Sequence, residues 1–275
     1  MSYGKGITWR QQQRTPVVLF DMDGTLTEPR SSLEKDLVPL LEELSNIADI
    51  GIVTGSDFEY LKQQIGFLMN QSNVRYKLHL LPCNGTKYYS PPNTATQNHT
   101  LRSEKDMLEE LGQEKFKSLM TAILEVQEHI SKLRIPLTGH FVDYRGSMIN
   151  WCPIGRNANK TQREEFISMD LERDPSLREK YLTRLRIKVG YVTKDVVCKL
   201  GGDTSFDIYP VGWDKTYALR HFKNHNNIFF VGDRCQPNGN DHEIYQALMP
   251  RAYETESPKQ TEEIIKDIIM RIKSS

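Results

Sequence analysis

Short apolar runs alternate with amphipathic segments over the first ninety residues. Runs of four apolar residues that stop at polar turns are typical of strands buried on both faces of a parallel sheet. Leucines at helical spacing separate the first two runs, and Asp57 is placed to cap the helix between the second and the third. The predicted strands cover residues 17–20, 50–53 and 78–81, and the predicted helices cover 32–47 and 58–66. This alternation predicts an α/β fold with a doubly wound parallel sheet.

The pattern changes near residue 90. A Pro/Asn/Thr-rich linker leads into a helical pattern at 104–133 and strand-like segments at 139–151 and 196–209. We interpret this stretch as an inserted α+β cap domain. A helix at 213–222 and a buried strand at 227–231 then return to the first pattern. The predicted organisation is a flexible segment at 1–15, a core at 16–89 and 201–275, and a cap at 90–200.

Composition excludes several classes of function. Lysine plus arginine (36) balances aspartate plus glutamate (36) in the 275 residues, so no global charge recruits nucleic acid or a membrane surface. The polar first fifteen residues lack the apolar core of a signal peptide, and no run approaches the roughly 18 apolar residues of a membrane span. The cysteines are scattered without paired spacing: Cys83, Cys152, Cys198 and Cys235. We expect reduced thiols, a cytoplasmic location, and neither nucleic-acid nor membrane partners.

Asp21 and Asp23 follow the first predicted strand directly. Residues i and i+2 of an extended chain point the same way, so both carboxylates can face one pocket at the carboxyl end of the sheet. Their repulsion suits a magnesium ion held by few protein oxygens. Asp21 would attack phosphorus, and Asp23 would give or take the proton of a sugar hydroxyl. A solvated turn after a strand is the alternative interpretation.

Later segments add groups of the same chemistry. Thr54 and Ser56 follow the second strand and offer hydroxyl and backbone N–H groups to phosphoryl oxygens. Lys215 offers a positive charge to the same oxygens. Asp233 follows the strand at 227–231 and would complete the metal site, and Asp241 would hold a ligand water or orient Lys215. Taken in order, these segments resemble the four signatures of the haloacid dehalogenase superfamily of phosphoryl-transfer enzymes.

A closer resemblance, to eukaryotic-type phosphomannomutases, spans residues 17–250. The stretches that carry it are FDMDGTLTEPR at 20–30, GSDFE at 55–59, PIGR at 153–156, SFD at 205–207, GWDK at 212–215 and NDHEI at 240–244. The resemblance implies an isomerase that moves a phosphoryl group through Asp21, with Mg²⁺ and a glucose or mannose 1,6-bisphosphate as activator. It also implies a role in GDP-mannose biosynthesis and a homodimer joined through the cap.

The family pattern assigns the binding of the sugar phosphate to one set of side chains. A mutase binds its substrate in two orientations, so the phosphate that does not react needs a cationic binding site. Water must also be excluded from the aspartyl phosphate. The predicted metal ligands are Asp21, Asp23, Asp233 and Asp241. The assigned substrate-binding residues are Arg30, Arg145, Arg156, Arg163, Ser205 and Asp207.

Some positions depart from the family pattern, and two other functions remain open. Thr54 and Asn238 stand where the family usually has glycine, and Cys83 stands where it tends to have glutamate. The segment between Arg163 and Ser205 is slightly longer than is typical of the family. The alternatives are a sugar-phosphate phosphatase of the same superfamily and a non-catalytic sugar-phosphate-binding protein. The second is disfavoured because a sensor needs neither a nucleophile nor its proton partner.

Overall fold

The protein folds into two units, each built on its own β-sheet. The structure, a computed structural model, describes residues 15–225 and 227–274, so the predicted flexible segment, apart from Thr15, lies outside the described residues. The strands are β1 (Val17–Phe20), β2 (Asp49–Val53), β3 (Leu78–Leu81), β4 (Tyr88–Ser90), β5 (Thr100–Ser103), β6 (Val142–Tyr144), β7 (Ile149–Trp151), β8 (Val196–Gly201), β9 (Ser205–Pro210), β10 (Ile228–Gly232) and β11 (Ala252–Glu254). The helices are α1 (Leu37–Ser45), α2 (Phe58–Asn70), α3 (Met107–Leu111), α4 (Gln113–Ile130), α5 (Lys160–Leu171), α6 (Leu177–Val192), α7 (His242–Leu248) and α8 (Pro258–Lys273).

The larger sheet has seven strands in the order β11-β10-β1-β2-β3-β4-β5. The five strands from β11 to β3 run parallel, and β4 and β5 continue the sheet antiparallel. Side chains alternate between its faces: Val18 and Phe20 join the apolar core formed with α1, α2 and α8, while Val17 and Leu19 join the opposite core formed with α7. Burial on both faces explains why these strands are continuous apolar runs.

The smaller sheet is antiparallel, with strand order β6-β7-β9-β8. Its apolar face packs with α3, α4, α5 and α6 around Trp151, Phe166 and Phe206, all fully buried. We call this sheet, its four helices and the loops that join them the cap, and the rest of the described chain the core. In the described part of the chain, no helix is both long and apolar enough to cross a membrane.

Several predicted boundaries differ from the observed elements. The cap boundaries of 90 and 200 are wrong in detail, because β5 pairs within the larger sheet and β9 within the smaller one. The predicted helix at 104–133 is broken at Gly112, whose φ of +76° is not helical. The predicted helix at 213–222 is a 3₁₀ helix that begins at Lys215. Helices α5, α6, α7 and α8 were not predicted.

Candidate active site

A cavity lies between the carboxyl ends of the core strands and the cap. Parallel strands end at one edge of a sheet, so the residues that follow β1, β2 and β10 meet there although they are far apart in the chain. Ten of the predicted site residues line this cavity: Asp21, Asp23, Arg30, Thr54, Ser56, Arg145, Arg156, Arg163, Ser205 and Asp207. The structure therefore brings both halves of the predicted site together.

Behind the cavity, Lys215 lies between two carboxylates. Its Nζ donates to Asp21 Oδ1 and, at 2.5 Å, to Asp241 Oδ1, and its side chain is fully buried. Burial alone would lower the pKa of Lys215, but Asp21 and Asp241 raise it, so the ammonium group stays charged. The contact between Lys215 and Asp241 agrees with the prediction that Asp241 orients Lys215.

Asp21, Asp233 and Asp241 form a tight acidic cluster. One carboxylate oxygen from each residue lies within 4.8 Å of one oxygen of each of the other two. Burial raises the pKa of Asp21 well above its usual value, and burial together with Asp241 raises that of Asp233 to about 6. Two cationic side chains, Lys215 and Arg234, the latter 3.6 Å from Asp233 Oδ2, thus face three carboxylates, and the remaining negative charge favours an added cation.

The donor set of this cluster fits a hard divalent cation. Asp233 Oδ1 is buried and has no hydrogen-bond partner among the described residues, so it is free to act as a ligand. Carboxylate oxygens are the ligands that Mg²⁺ prefers. Gly24, with φ of +85°, allows the Asp21 turn to approach, since a Cβ there would clash with Asp233 Oδ2.

The carboxylate of Asp23, which was predicted as a fourth metal ligand, lies outside this cluster of three. Its Oδ1 accepts hydrogen bonds from Tyr60 Oη at 3.1 Å, Gln64 Nε2 at 2.9 Å and the backbone N–H of Arg30 at 3.2 Å. Two of the three donors, Tyr60 and Gln64, lie on α2, so the carboxylate is held toward that helix. Tyr60 and Gln64 were not among the predicted site residues, although their four-residue spacing on the helix after Asp57 places them on one face.

Thr54 and Ser56 form a small polar turn beside Asp21. Thr54 is buried, and its Oγ1 accepts a hydrogen bond from the backbone N–H of Ser56 at 3.1 Å. Asn84 N–H donates to the Thr54 carbonyl at 2.8 Å, which fixes the turn against the segment after β3. Both residues line the cavity, where their polar groups are available to a bound ligand.

The other two departures from the family pattern have local explanations. Asn238 has φ of +73°, a left-handed conformation that asparagine tolerates better than most residues and that glycine also adopts. Cys83 is buried, its Sγ donates to the Arg145 carbonyl at 3.8 Å, and burial raises the pKa of its thiol to about 11. The Cys83 thiol is therefore protonated and unreactive.

Arginines from the cap face the acidic end of the cavity. Arg145 donates from Nη1 to the Gly55 carbonyl at 2.7 Å and from Nε to Asp143 at 3.0 Å. Burial and the neighbouring Arg145 lower the pKa of Arg156, and burial and Arg30 lower that of Arg163. These like charges are incompletely balanced, so the site favours an anion such as a phosphate.

Ser205 and Asp207 lie on β9 at the cap side of the cavity. Asp207 is buried, accepts from Asn150 Nδ2 at 2.8 Å, and has its pKa raised by burial against the opposing effect of Arg145. Ser205 Oγ donates to the Gly201 carbonyl at 2.7 Å. A side chain at Gly201 would clash with Asp207 at 2.6 Å, so the β8–β9 turn must approach closely.

The cap contacts the core through ion pairs beside the acidic cluster. Arg234, on the core, donates to Asp203 at 2.5 Å and to the Gly202 carbonyl at 2.9 Å. Lys199 of β8 pairs with Glu243 of α7 at 2.5 Å. These residues were not among the predicted site residues, although Arg234 directly follows Asp233. The contacts hold the β8–β9 turn over the cavity.

Comparison with known proteins gives consistent matches. A sequence model of the eukaryotic phosphomannomutase family matches residues 37–271. The chain is 36% identical to a phosphomannomutase of Encephalitozoon cuniculi over 232 residues, which are 83% of this chain and 84% of that protein. It is 34% identical to a phosphomannomutase of Dendrobium officinale over 248 residues, 90% of this chain and 91% of that one.

Solved structures show a related fold. The structure of Plasmodium falciparum IMP-nucleotidase superposes with a TM-score of 0.66 at 13% identity, over 95% of this chain and 64% of that one. At this identity the likeness concerns the fold alone. It confirms the predicted α/β fold with a parallel-sheet core.

Proposed function

Because the chain belongs to the eukaryotic phosphomannomutase family, we propose that it interconverts mannose 6-phosphate and mannose 1-phosphate, and that it also accepts glucose phosphates. One observation carries the proposal: a single cavity joins Asp21, in its acidic cluster, to arginines of the facing cap. The acidic end suits transfer of one phosphoryl group, and the basic end suits binding of a second.

Asp21 is the proposed nucleophile. When it attacks the phosphorus of a bound hexose phosphate, the bond from phosphorus to Asp21 forms, the bond to the sugar oxygen breaks, and Asp23 supplies the proton to that oxygen. In the reverse transfer, the sugar hydroxyl gives its proton to Asp23 as its oxygen takes the phosphoryl group. The positive charge of Lys215 and the polar groups of Thr54 and Ser56 orient Asp21 and the phosphoryl oxygens.

The acidic cluster would hold Mg²⁺ through Asp21, Asp233 and Asp241. When bound, the ion supplies positive charge that offsets the carboxylates and the phosphoryl oxygens. Burial, which raises the pKa values of Asp21 and Asp233, supports this assignment, since an ionised cluster needs compensating charge.

The cap would grip the phosphate that does not react. Arg145, Arg156 and Arg163 from the cap and Arg30 from the core line the same cavity as Asp21. A hexose 1,6-bisphosphate fits this division, because it presents one phosphate at each end. If the bisphosphate reorients in the cavity, Asp21 can accept the other of its two phosphoryl groups. The net result is isomerisation of the hexose phosphate. Closure of the cap over the cavity would exclude water from the aspartyl phosphate.

A product assay tests the function. We expect the protein, given mannose 1-phosphate, Mg²⁺ and a trace of glucose 1,6-bisphosphate, to form mannose 6-phosphate and to release little inorganic phosphate. ³¹P NMR distinguishes mannose 6-phosphate, mannose 1-phosphate and inorganic phosphate in the mixture. Inorganic phosphate as the main product, without mannose 6-phosphate, would instead establish a sugar-phosphate phosphatase. Binding of the sugar phosphate without any product would establish a sensor.

We also propose that the protein is a cytoplasmic homodimer joined through the cap and serves GDP-mannose biosynthesis. The cysteines are free, which suits a reducing compartment. On the cap, Leu124 of α4 and Ile187 and Tyr191 of α6 are exposed, and Tyr191 is 86% exposed. The Lys188–Glu125 ion pair links the two helices beside these side chains. An exposed apolar group of this kind is typical of a surface that binds a second copy.

Light scattering tests this dimer. We expect the parent to have twice the 31.9 kDa mass of one chain. The mass of the Tyr191→Lys variant should shift toward that of the monomer, because a buried ammonium group would oppose association. Met270→Lys, on an exposed apolar residue of the core, is the matched control and should keep the mass of the parent. A monomeric parent, or a Tyr191→Lys variant of unchanged mass, would contradict the assignment.

A further inference from the structure

Asp23 is held by side chains that have no role in the mechanism described above. All three hydrogen bonds to its carboxylate go to Oδ1: from Tyr60 Oη, Gln64 Nε2 and the Arg30 backbone N–H. Within the described ranges, Oδ2 accepts no hydrogen bond, and Asp23 lines the cavity. When only one oxygen of a carboxylate is held by hydrogen bonds, the group loses rotational freedom and its second oxygen points in a defined direction.

The orientation of the Gln64 amide is determined by its neighbours. Thr27 Oγ1 donates to Gln64 Oε1 at 2.5 Å, and Gln64 Nε2 donates to Asp23. The reverse orientation would place the amide oxygen against a carboxylate oxygen, and both atoms are acceptors. Because Gln64 and Thr27 are buried, this orientation is protected from exchange with water.

The backbone of Gln64 is also tied to the loop that carries Asp23. Its carbonyl accepts from Leu33 N–H at 2.9 Å, and α2 bends at the next residue, Ile65, where φ is −115° and ψ is 19°. The contact with Leu33 therefore lies next to the bend in α2. Gln64 thus binds the loop after β1 at two points, through its backbone and its side chain.

Tyr60 supplies the second side-chain donor from the preceding turn of α2. Asp57 caps this helix by accepting from the Tyr60 N–H at 2.8 Å, which sets the position of the tyrosine backbone. Burial and the adjacent Asp23 raise the pKa of Tyr60, so its hydroxyl remains protonated and can donate. Arg30, which supplies the third donor, has φ of +64°, and the surrounding contacts must stabilise this uncommon conformation.

We propose that Tyr60 and Gln64 are positioning residues that fix Asp23 Oδ1 and so direct Oδ2 toward the sugar oxygen that gains or loses the proton. This inference rests on the proposed function. In the forward transfer the proton moves from Oδ2 to the departing sugar oxygen as the phosphorus–oxygen bond breaks. In the reverse transfer Oδ2 takes the proton of the attacking hydroxyl. Neither Tyr60 nor Gln64 exchanges a proton with the substrate.

Kinetics of Tyr60→Phe and Gln64→Met test the inference. Each removes one donor to Asp23 and keeps most of the side-chain volume. We expect kcat for mannose 1-phosphate to fall about tenfold in each variant, with KM within about twofold, because proton transfer is impaired while the phosphate-binding arginines are intact. Tyr253→Phe is the matched control: its hydroxyl donates to Asp267 at 3.1 Å in the core, and the variant should retain the parent kcat.

A second phosphoryl donor separates positioning of Asp23 from a general structural effect. Acetyl phosphate has a leaving group that needs no proton, so phosphorylation of Asp21 by it, followed by intact-mass spectrometry, should proceed at the parent rate in both variants. Unchanged kcat with the sugar phosphate, or equal slowing with both donors, would overturn the inference. If the parent itself fails to convert mannose 1-phosphate, the proposed function is overturned instead, and the proton-transfer role with it.

Discussion

Asp21→Asn is expected to lower mannose phosphate turnover by about 10⁴-fold or more, since an amide cannot form the phosphoenzyme on which both half-reactions depend. Asp21 is 4% exposed at the end of β1, and Lys215 holds one of its oxygens. No other carboxylate of the acidic cluster can substitute for it, because Asp241 is fully buried behind it and Asp233 is needed to complete the cluster.

The measurement for Asp21→Asn has two parts. Turnover is followed by a coupled assay for mannose 6-phosphate, and the phosphoenzyme is followed by intact mass after acid quench. Asp267→Asn, on α8 and remote from the cavity, is the matched control and should retain parent activity. Turnover above about one per cent of the parent, or an added phosphoryl group on the Asp21→Asn variant, would contradict the assignment of the nucleophile.

Lys215→Met is expected to destabilise the fold by about 3–5 kcal/mol at pH 7.5 in the presence of EDTA. Lys215 is fully buried between Asp21 and Asp241, and removal of one partner of a buried ion pair leaves uncompensated charge. This is a large part of the roughly 5–15 kcal/mol that stabilises a folded protein. Urea unfolding gives the free energy of unfolding for parent and variant.

The pH dependence of this loss has a definite sign. Burial raises the pKa of Asp21 well above its usual value and, with Asp241, that of Asp233 to about 6. A carboxyl group with a raised folded pKa binds more protons in the folded state, so stability falls as pH rises through about 4 to 6. Without Lys215, the negative charge of the acidic cluster is reduced mainly by protonation of its carboxylates. The deficit of Lys215→Met should therefore be smaller at pH 5 than at pH 7.5.

An exposed lysine supplies the control. Lys273 pairs with Glu43 at 2.8 Å, but both side chains are about half exposed, and Lys273→Met should cost less than about 1 kcal/mol at either pH. A loss of this small size for Lys215→Met, or a larger loss at pH 5, would show that the buried lysine does not stabilise the acidic cluster.

Much of the core was predictable because buried parallel strands have a simple pattern. The runs at 17–20, 50–53 and 78–81 are continuous and apolar, and they correspond to β1, β2 and β3. The cap was predicted less well. Its strands β6 and β7 are three residues long, too short for clear alternation, and α5 and α6 lie in a charged stretch with weak apolar periodicity.

The candidate residues could be found because strand ends carry chemistry in this class of fold. Asp21, Thr54 and Asp233 each follow a predicted buried strand, so their convergence at one sheet edge followed from topology. The contacts of Asp23 could not be predicted in this way. Residues i and i+2 were expected to share one metal site, but hydrogen bonds from α2 draw the Asp23 carboxylate out of the cluster.

The sequence by itself determined the kind of sheet, the acids at its carboxyl edge and the resemblance to one family, because strand periodicity and motif order are local properties of a chain. Tertiary structure decided which oxygen meets which donor. Tyr60 and Gln64 reach Asp23, Arg234 reaches Asp203, and Lys215 meets Asp21 across 194 residues of chain. Such contacts depend on how separate elements pack, and spacing along the chain does not encode the distances between them.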